Sequence, residues 1–168
     1  ELGVCEGASM MWILDNLDIK IAMGVDHYQP PREKQAEAFQ DYEKNARHNL
    51  APWIDGGGLS VQKEDTFEWL GDSVYSRNMQ PDSQKDERRW DLIYIDADHR
   101  GVEALQDIVL SWKLLRIGGW MVLDDLQRVW HKQPLVRFSQ RAFDDVYQGR
   151  YEQVWKEGRQ IAYRKRKE

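Results

Sequence analysis

The sequence has little of several features that would each indicate a particular class of protein. Its 168 residues include one cysteine, Cys5, which excludes an intrachain disulfide framework and is typical of a reducing compartment, so we expect a cytoplasmic protein. No apolar run approaches the roughly 20 residues of a membrane span. The net charge of −5 argues against nucleic acid as the main partner, because nucleic-acid-binding proteins usually carry a basic surface.

The N-terminus also lacks an initiator Met and a signal-peptide pattern. Residues 1–4 are predicted to be the end of a strand, so we expect further residues upstream and interpret the sequence as N-terminally truncated. The length suffices for a substantial core, and no linker or repeat divides it. We therefore predict a single domain over residues 1–168.

The strongest pattern lies in residues 91–125 and predicts a strand, a helix and a second strand. A short apolar run at 92–95 is followed by apolar residues at helical spacing and by a second apolar run at 120–123. Strands joined in this way should be parallel, so both carboxyl ends should meet at the sheet edge where α/β proteins bind ligands. The polar residues that follow the two strands are Asp96, Asp98, His99, Asp124 and Asp125.

Strands and helices alternate along the rest of the chain. The further predicted strands are 19–25 and 59–62, the helices are 10–16, 33–50, 66–70 and 137–147, and 71–89 is predicted to be a polar loop. Residues 151–155 and 160–163 should form a hairpin, and the basic stretch 159–167 is interpreted as a solvated chain end. These elements predict an α/β, Rossmann-like, doubly wound fold, with a mostly parallel seven-stranded sheet and a C-terminal antiparallel hairpin.

A glycine-containing turn and three acidic residues suggest a nucleoside-binding site. Gly3 and Gly7 separate the first strand from a helix, whose N-terminus offers N–H groups to an anion, although a plain tight turn explains two glycines equally well. Asp26 closes the second strand, where a carboxylate can accept hydrogen bonds from ribose hydroxyls or simply form a turn. Glu64 and Asp65 follow the third strand and suit an adenine amino group.

Three sequence motifs together resemble the class I S-adenosylmethionine-dependent methyltransferases. The motifs are Glu1-Leu2-Gly3 through Gly7 and Ser9, Ile95-Asp96-Ala97-Asp98, and Asp124-Asp125. More narrowly, they are similar to the metal-dependent O-methyltransferases related to catechol and caffeoyl-CoA O-methyltransferases and to those that modify antibiotic sugars. The resemblance extends from residue 1 to about residue 163.

The resemblance implies two bound groups and the residues that hold them. The S-adenosylmethionine ligands would be Glu1, Gly3, Cys5, Gly7, Ser9, Asp26, Glu64, Asp65, Asp96 and Asp98. Mg²⁺ or another divalent cation would be bound by Asp96, Asp124 and Asp125, since hard cations prefer carboxylate oxygens. As an alternative, Asp124 or Asp125 caps the segment that follows.

The implied reaction is methyl transfer to a hydroxyl group of a small molecule, such as a diol of a catechol or sugar. His99 occupies the position where relatives commonly carry a lysine, and imidazole can act as general base near neutral pH. Asp98 is the competing candidate for that role. His131 and Trp130 are candidates to face the substrate.

Two other functions stay open at this point. One is a methyltransferase-fold tailoring protein with other chemistry, such as hydroxylation, and the other is a cofactor-binding protein without turnover. Nucleic-acid methylation is disfavoured, because the sequence lacks an Asn/Asp-Pro-Pro-Tyr/Phe motif for a flipped base. The oligomeric state, including a homo-oligomer, is left undetermined.

Overall fold

A computed structural model describes residues 1–29, 41–80, 89–127 and 135–168. Contacts divide the chain into two compact units, Glu1–Thr66 and Phe67–Glu168, which are considered separately below. The candidates Trp130 and His131, and the first part of the helix predicted for 33–50, lie outside the described residues. No helix in the described ranges combines the length and the apolar character needed to cross a membrane.

The first unit contains two parallel strands and three helices among its described residues. Strands β1 (Ala22–Asp26) and β2 (Leu59–Lys63) pair in register, and Leu2 adds one parallel bridge to Val25. The helices are α1 (Ala8–Asn16), α2 (Tyr42–Asn49) and α3 (Ala51–Asp55). The apolar core that joins these elements consists of Val4, Met10, Tyr28, Ala46, Leu50, Leu59 and Val61.

The described part of the second unit is a four-stranded mixed sheet with three helices, of which the last two contact each other. Its strands are β3 (Trp90–Ile95), β4 (Leu115–Leu123), β5 (Tyr151–Glu157) and β6 (Gln160–Lys165), in the order β3-β4-β6-β5. Strands β3 and β4 are parallel, whereas β6 is antiparallel to both of its neighbours. The helices are α4 (Thr66–Asn78), which begins at the last residue of the first unit, α5 (Gly101–Leu114) and α6 (Leu135–Val146).

The predicted α/β class, the strand-helix-strand segment and the terminal hairpin are confirmed. Helix α5 connects β3 to the parallel strand β4, and β5 and β6 form the hairpin. The described residues contain six strands, in groups of two and four, and the isolated bridge at Leu2. The single seven-stranded sheet therefore stays a prediction.

Several local predictions are wrong. Helix α4 extends through much of the loop predicted for 71–89, because Leu70 and Val74, one turn apart, provide a buried side to an otherwise polar segment. The second strand of the strand-helix-strand segment is longer than the predicted 120–123, and it includes Gly118 at a φ of +83°. Helix α3 and the first half of β4 were not expected.

The basic stretch near the C-terminus is not a solvated chain end, because Lys165 is fully buried. Its Nζ atom donates hydrogen bonds to the carbonyl oxygens of Trp112 and Leu115, both at 2.9 Å, and pairs with Glu168 at 3.0 Å. Carbonyl groups at the end of a helix have no partner within the helix, so the ammonium group caps α5. Burial lowers the pKa of Lys165.

Candidate active site

The glycine turn of the first unit is defined by its backbone conformation. Gly3, Cys5 and Gly7 have φ values of +86°, +51° and +88°, and the Gly7 N–H bonds to the Val4 carbonyl at 2.8 Å before α1 begins. A Cβ atom on Gly7 would lie 3.0 Å from two carbon atoms of Leu50. Both the left-handed backbone and the packing therefore require glycine at position 7.

The carboxylate of Asp26, at the end of β1, holds this turn from the side. It accepts the N–H of Cys5 at 2.8 Å on one oxygen and the N–H of Tyr28 at 2.7 Å on the other. An ionised carboxylate has about four acceptor positions, so two remain for a ligand. The N–H of Glu64 bonds to the Asp26 carbonyl at 3.1 Å and fastens the end of β2 beside it.

Glu1 contributes a buried carboxyl group with unused hydrogen-bonding capacity. One of its oxygens accepts a hydrogen bond from the Ser9 hydroxyl, while the other is buried without a partner. Burial raises the pKa of Glu1 to about 7, against the opposite effect of nearby positive charge and of Ser9. A buried oxygen without a hydrogen-bond donor fits a ligand that brings a donor or a positive charge; we call it the orphaned oxygen of Glu1.

The second unit brings Asp96, His99 and Asp125 together at the ends of β3 and β4. Potential ligand atoms of the three lie within 4.8 Å of one another, and His99 Nε2 is 3.5 Å from Asp125 Oδ2. Asp125 is buried, whereas Asp96 and His99 are half-buried. Asp96 and His99 line a cleft whose further lining residues are Ile95, Ala97, Asp98, Ala104, Ile108, Leu123, Asp124 and Val136.

Asp124 is oriented by a separate hydrogen-bond network. Its Oδ2 accepts the hydroxyl of Tyr94 and, at 2.7 Å, the side-chain amide of Gln160, which also donates to the Tyr94 oxygen at 2.9 Å. Its Oδ1 accepts the N–H of Asp125 at 2.6 Å. Burial by itself raises the pKa of Asp124, but these hydrogen bonds outweigh burial and lower it.

Asp98, the second candidate for the general base, is committed to Arg100. The guanidinium group approaches one carboxylate oxygen to 2.6 Å, and the backbone N–H of Arg100 donates to the other at 2.8 Å. Burial raises the pKa of Asp98, but the bonds from Arg100 more than compensate and lower it. A carboxylate held in this way is a poor proton acceptor near neutral pH.

The sequence reasoning missed three residues of the acidic site. Tyr94 lies two residues before Asp96 in β3, and its polar tip within an apolar strand was a readable signal. Arg159, whose guanidinium lies 2.9 Å from Asp125 Oδ1, and Gln160 come from the β5–β6 turn, more than thirty residues away. No local pattern connects that turn with the acidic pair.

The acidic group has the donor chemistry of a divalent-cation site. Two carboxylates and an imidazole are ligands of Mn²⁺, Fe²⁺ and Zn²⁺, while additional carboxylate or water oxygens suit Mg²⁺. The proximity of Asp96 to the buried Asp125 fits a bound cation, since clustered carboxylates repel one another unless a positive charge lies beside them. The predicted ligand set of Asp96, Asp124 and Asp125 stays a prediction, because the structure groups His99, and not Asp124, with the other two.

The described residues thus form an α/β protein with a glycine turn beside two acidic residues in the first unit and an acidic group at two strand ends in the second. The chain belongs to the methyltransferase domain family, whose profile matches residues 1–126. The expected resemblance to methyltransferases is thereby confirmed.

Individual proteins are similar to this chain at low sequence identity. The uncharacterized protein R132 of Acanthamoeba polyphaga mimivirus is 23% identical over 152 residues, which are 90% of this chain and 61% of that protein. The chain thus spans about three fifths of the length of this curated relative.

Solved structures match the fold over nearly the whole chain. An O-methyltransferase from Bacillus cereus, determined in complex with SAH, has a TM-score of 0.60 at 19% identity, over 98% of this chain and 72% of that one. The O-methyltransferase NovP has a TM-score of 0.62 at 13% identity, over 99% and 70% of the two chains. These similarities establish the α/β methyltransferase-like fold.

Proposed function

We propose that the protein transfers a methyl group from S-adenosylmethionine to a hydroxyl group of a small molecule, with the assistance of a divalent cation. The observation that carries this proposal is the grouping of Asp96, His99 and Asp125 at two strand ends of a methyltransferase-family chain. The names of the Bacillus cereus protein and of NovP support oxygen as the acceptor atom.

The first unit would hold the cofactor. The free acceptor positions of Asp26 suit two ribose hydroxyls, and the orphaned oxygen of Glu1 suits the ammonium group of the methionine moiety. The turn from Gly3 to Ser9 would let the ligand approach the backbone, with Glu64 and Asp65 on the adenine side. S-adenosylmethionine supplies the electrophilic methyl group when it is bound.

The second unit would activate the acceptor hydroxyl. Asp96 and Asp125 would hold the cation, with Asp124 as the third predicted ligand; a bound divalent cation lowers the pKa of a hydroxyl group beside it. We assign the removal of the hydroxyl proton to His99, because Asp98 is paired with Arg100. The distances also favour a second role, in which His99 ligates the cation and the proton leaves to water.

The acceptor class follows from the chemistry of the site. Two adjacent hydroxyls, as in a catechol or a sugar, could both approach the acidic group, so we propose a diol. Hydroxylase-like chemistry and cofactor binding without turnover are the competing functions. The cytoplasmic location and a homo-oligomeric state stay predictions.

The test is methyl transfer to a panel of catechols and sugars, measured by the mass of the product with and without chelator. We expect methylation that falls about 100-fold on chelation and in the Asp125→Asn variant, in line with cation assistance. The matched control, Asp72→Asn in α4, should retain activity. Methylation that survives both chelation and Asp125→Asn would contradict the cation, and an oxygenated product would favour the hydroxylase alternative.

The two roles of His99 are separated by measuring cation affinity and the pH dependence of the rate together. As general base, His99→Ala removes the rise of the rate near neutral pH and leaves Mn²⁺ affinity unchanged. As a ligand, the same substitution weakens Mn²⁺ binding about 10- to 100-fold.

A further inference from the structure

The turn of the β5–β6 hairpin is fastened to the segment that carries the acidic pair. The N–H of Leu126 donates to the Arg159 carbonyl at 2.9 Å, and the Gln127 side chain donates to the Gly158 carbonyl at 2.9 Å. On the other side of the turn, Gln160 donates to Asp124. The backbone of Arg159 is therefore held on both sides, close to the acidic group.

The side chain of Arg159 lies on Asp125, and the two partners differ sharply in exposure. The guanidinium is 2.9 Å from Asp125 Oδ1, the Arg159 side chain is 64% exposed, and that of Asp125 only 7%. Asp125 also has a φ of +54°, a conformation uncommon for residues other than glycine. The carboxylate is thus enclosed by protein, whereas the long arginine side chain can move into water at small cost.

We infer that Arg159 is an internal counter-cation of the acidic group and competes with a divalent cation for Asp125. This inference rests on the proposed function, since it concerns the same cation site. The Oδ2 atom of Asp125 faces His99 and its Oδ1 atom faces Arg159, so both oxygens already have a cationic or potentially cationic neighbour. A divalent cation held by this carboxylate must displace the guanidinium or remain beside it, and like charges at such distances repel.

The pairing has a consequence for how the site responds to cations. Arg159 neutralises Asp125 and keeps its carboxylate in position while no divalent cation is bound. When a cation binds, part of its binding free energy is used to displace the arginine. The affinity of the acidic group for a divalent cation is therefore lower than the carboxylates alone would give. Higher cation concentrations are then needed to replace Arg159 at Asp125.

The test is titration with Mn²⁺ alone, followed by the electron paramagnetic resonance signal of the free ion. The proteins are the wild type, Arg159→Gln, and Arg166→Gln as the matched control. Arg166 follows β6 at the opposite end of the hairpin, where it pairs with Glu152, so its substitution removes the same charge away from the site. We expect Arg159→Gln to bind Mn²⁺ roughly five- to tenfold more tightly than both other proteins at low salt, and the difference to shrink as salt rises.

Three outcomes would overturn the inference, and they are distinguishable. Equal or weaker binding by folded Arg159→Gln, with normal binding by the wild type, contradicts competition and leaves the cation site standing. Equal tightening by both arginine variants shows an effect of net charge and not of Arg159. Absence of Mn²⁺ binding in all three proteins overturns the proposed cation site and this inference together. Thermal melting of each variant establishes that it is folded.

Discussion

The two acidic regions of the molecule stabilise their carboxyl groups by different means. In the first unit, Asp26 is held by backbone N–H groups, and burial of the Glu1 carboxyl group raises its pKa to about 7. In the second unit, the carboxylates of Asp98 and Asp124 are each held by side-chain donors together with one backbone N–H, and these bonds lower their pKa values in spite of burial. The first region therefore favours a protonated or cation-paired Glu1, while the second maintains anionic carboxylates.

This difference matches the two proposed roles. A turn built from backbone presents fixed hydrogen-bonding groups to a neutral ribose and a charged amino group. Carboxylates that stay ionised are suited to a metal ion, which requires deprotonated ligands. The substitutions below separate the two regions, beginning with the largest expected effect.

The largest effect should come from the glycine turn. Gly7→Ala must place a Cβ atom 3.0 Å from Leu50 at a φ of +88°, and strain with overpacking should lower the free energy of unfolding by about 3–4 kcal/mol. The matched control is Gly57→Ala, at a φ of +75° with no atom within 4 Å of the new Cβ, where backbone strain alone should cost about 1 kcal/mol. Urea unfolding measures both, and equal losses would show that the contact with Leu50 is unimportant.

A smaller effect, with a defined pH dependence, should follow from Glu1→Gln. Because the folded-state pKa of Glu1 is raised from 4.5 to about 7, the folded protein binds more protons than the unfolded chain between these values. Stability should therefore fall as pH rises through this window, by about 3 kcal/mol in total.

Glutamine carries no charge, so the stability of the Glu1→Gln variant should not decline with pH. Weakening of the Ser9 hydrogen bond should cost the variant about 1 kcal/mol, so at pH 8 its free energy of unfolding should exceed that of the wild type by about 2 kcal/mol. Urea unfolding at pH 5 and pH 8 checks this difference, with Glu68→Gln in α4 as the control. Parallel pH profiles for wild type and Glu1→Gln would contradict the burial of an ionisable Glu1.

The smallest effect should come from Tyr94→Phe in the second region. The substitution removes the hydrogen bond that Tyr94 donates to Asp124 and the one that it accepts from Gln160. Because Gln160 keeps its bond to Asp124, the cost should be about 1 kcal/mol at neutral pH. The pKa of Asp124 is lower in the folded protein than its unfolded value of 3.8. The stabilisation that this carboxylate provides is therefore complete above pH 3.8 and is lost as the pH falls through its folded-state pKa. In acid-induced unfolding, the stabilities of the wild type and Tyr94→Phe should therefore become equal at low pH. A difference in stability that persists or grows at low pH would contradict the role of Tyr94 as a donor to ionised Asp124.

The parts of the molecule that could be predicted from sequence are those in which neighbours along the chain determine the structure. The glycine turn and the strand-helix-strand segment have local signals, namely glycines before a helix and apolar runs that end in acidic residues. The continuation of helix α4 beyond residue 70 was missed, because only Leu70 and Val74 mark its buried side.

The unpredicted features depend on contacts between residues distant in sequence. Arg159 and Gln160 reach the acidic pair only because β6 lies beside β4, and Lys165 becomes a helix cap for the same reason. A basic residue in a basic stretch gives no sign of such a partner. The positions of the acids were therefore predictable, whereas the groups that control their charge were not.

The most direct test of the account is calorimetric titration of S-adenosylmethionine into the wild type, Asp26→Asn and the control Asp55→Asn, an exposed residue at the end of α3. We expect the wild type and Asp55→Asn to bind S-adenosylmethionine with equal affinity, and Asp26→Asn to bind it about tenfold more weakly or worse. The reason is that each lost hydrogen bond to a charged group costs about 1.5–3 kcal/mol. The absence of binding by folded wild-type protein, or equal binding by all three proteins, would contradict the proposed cofactor site.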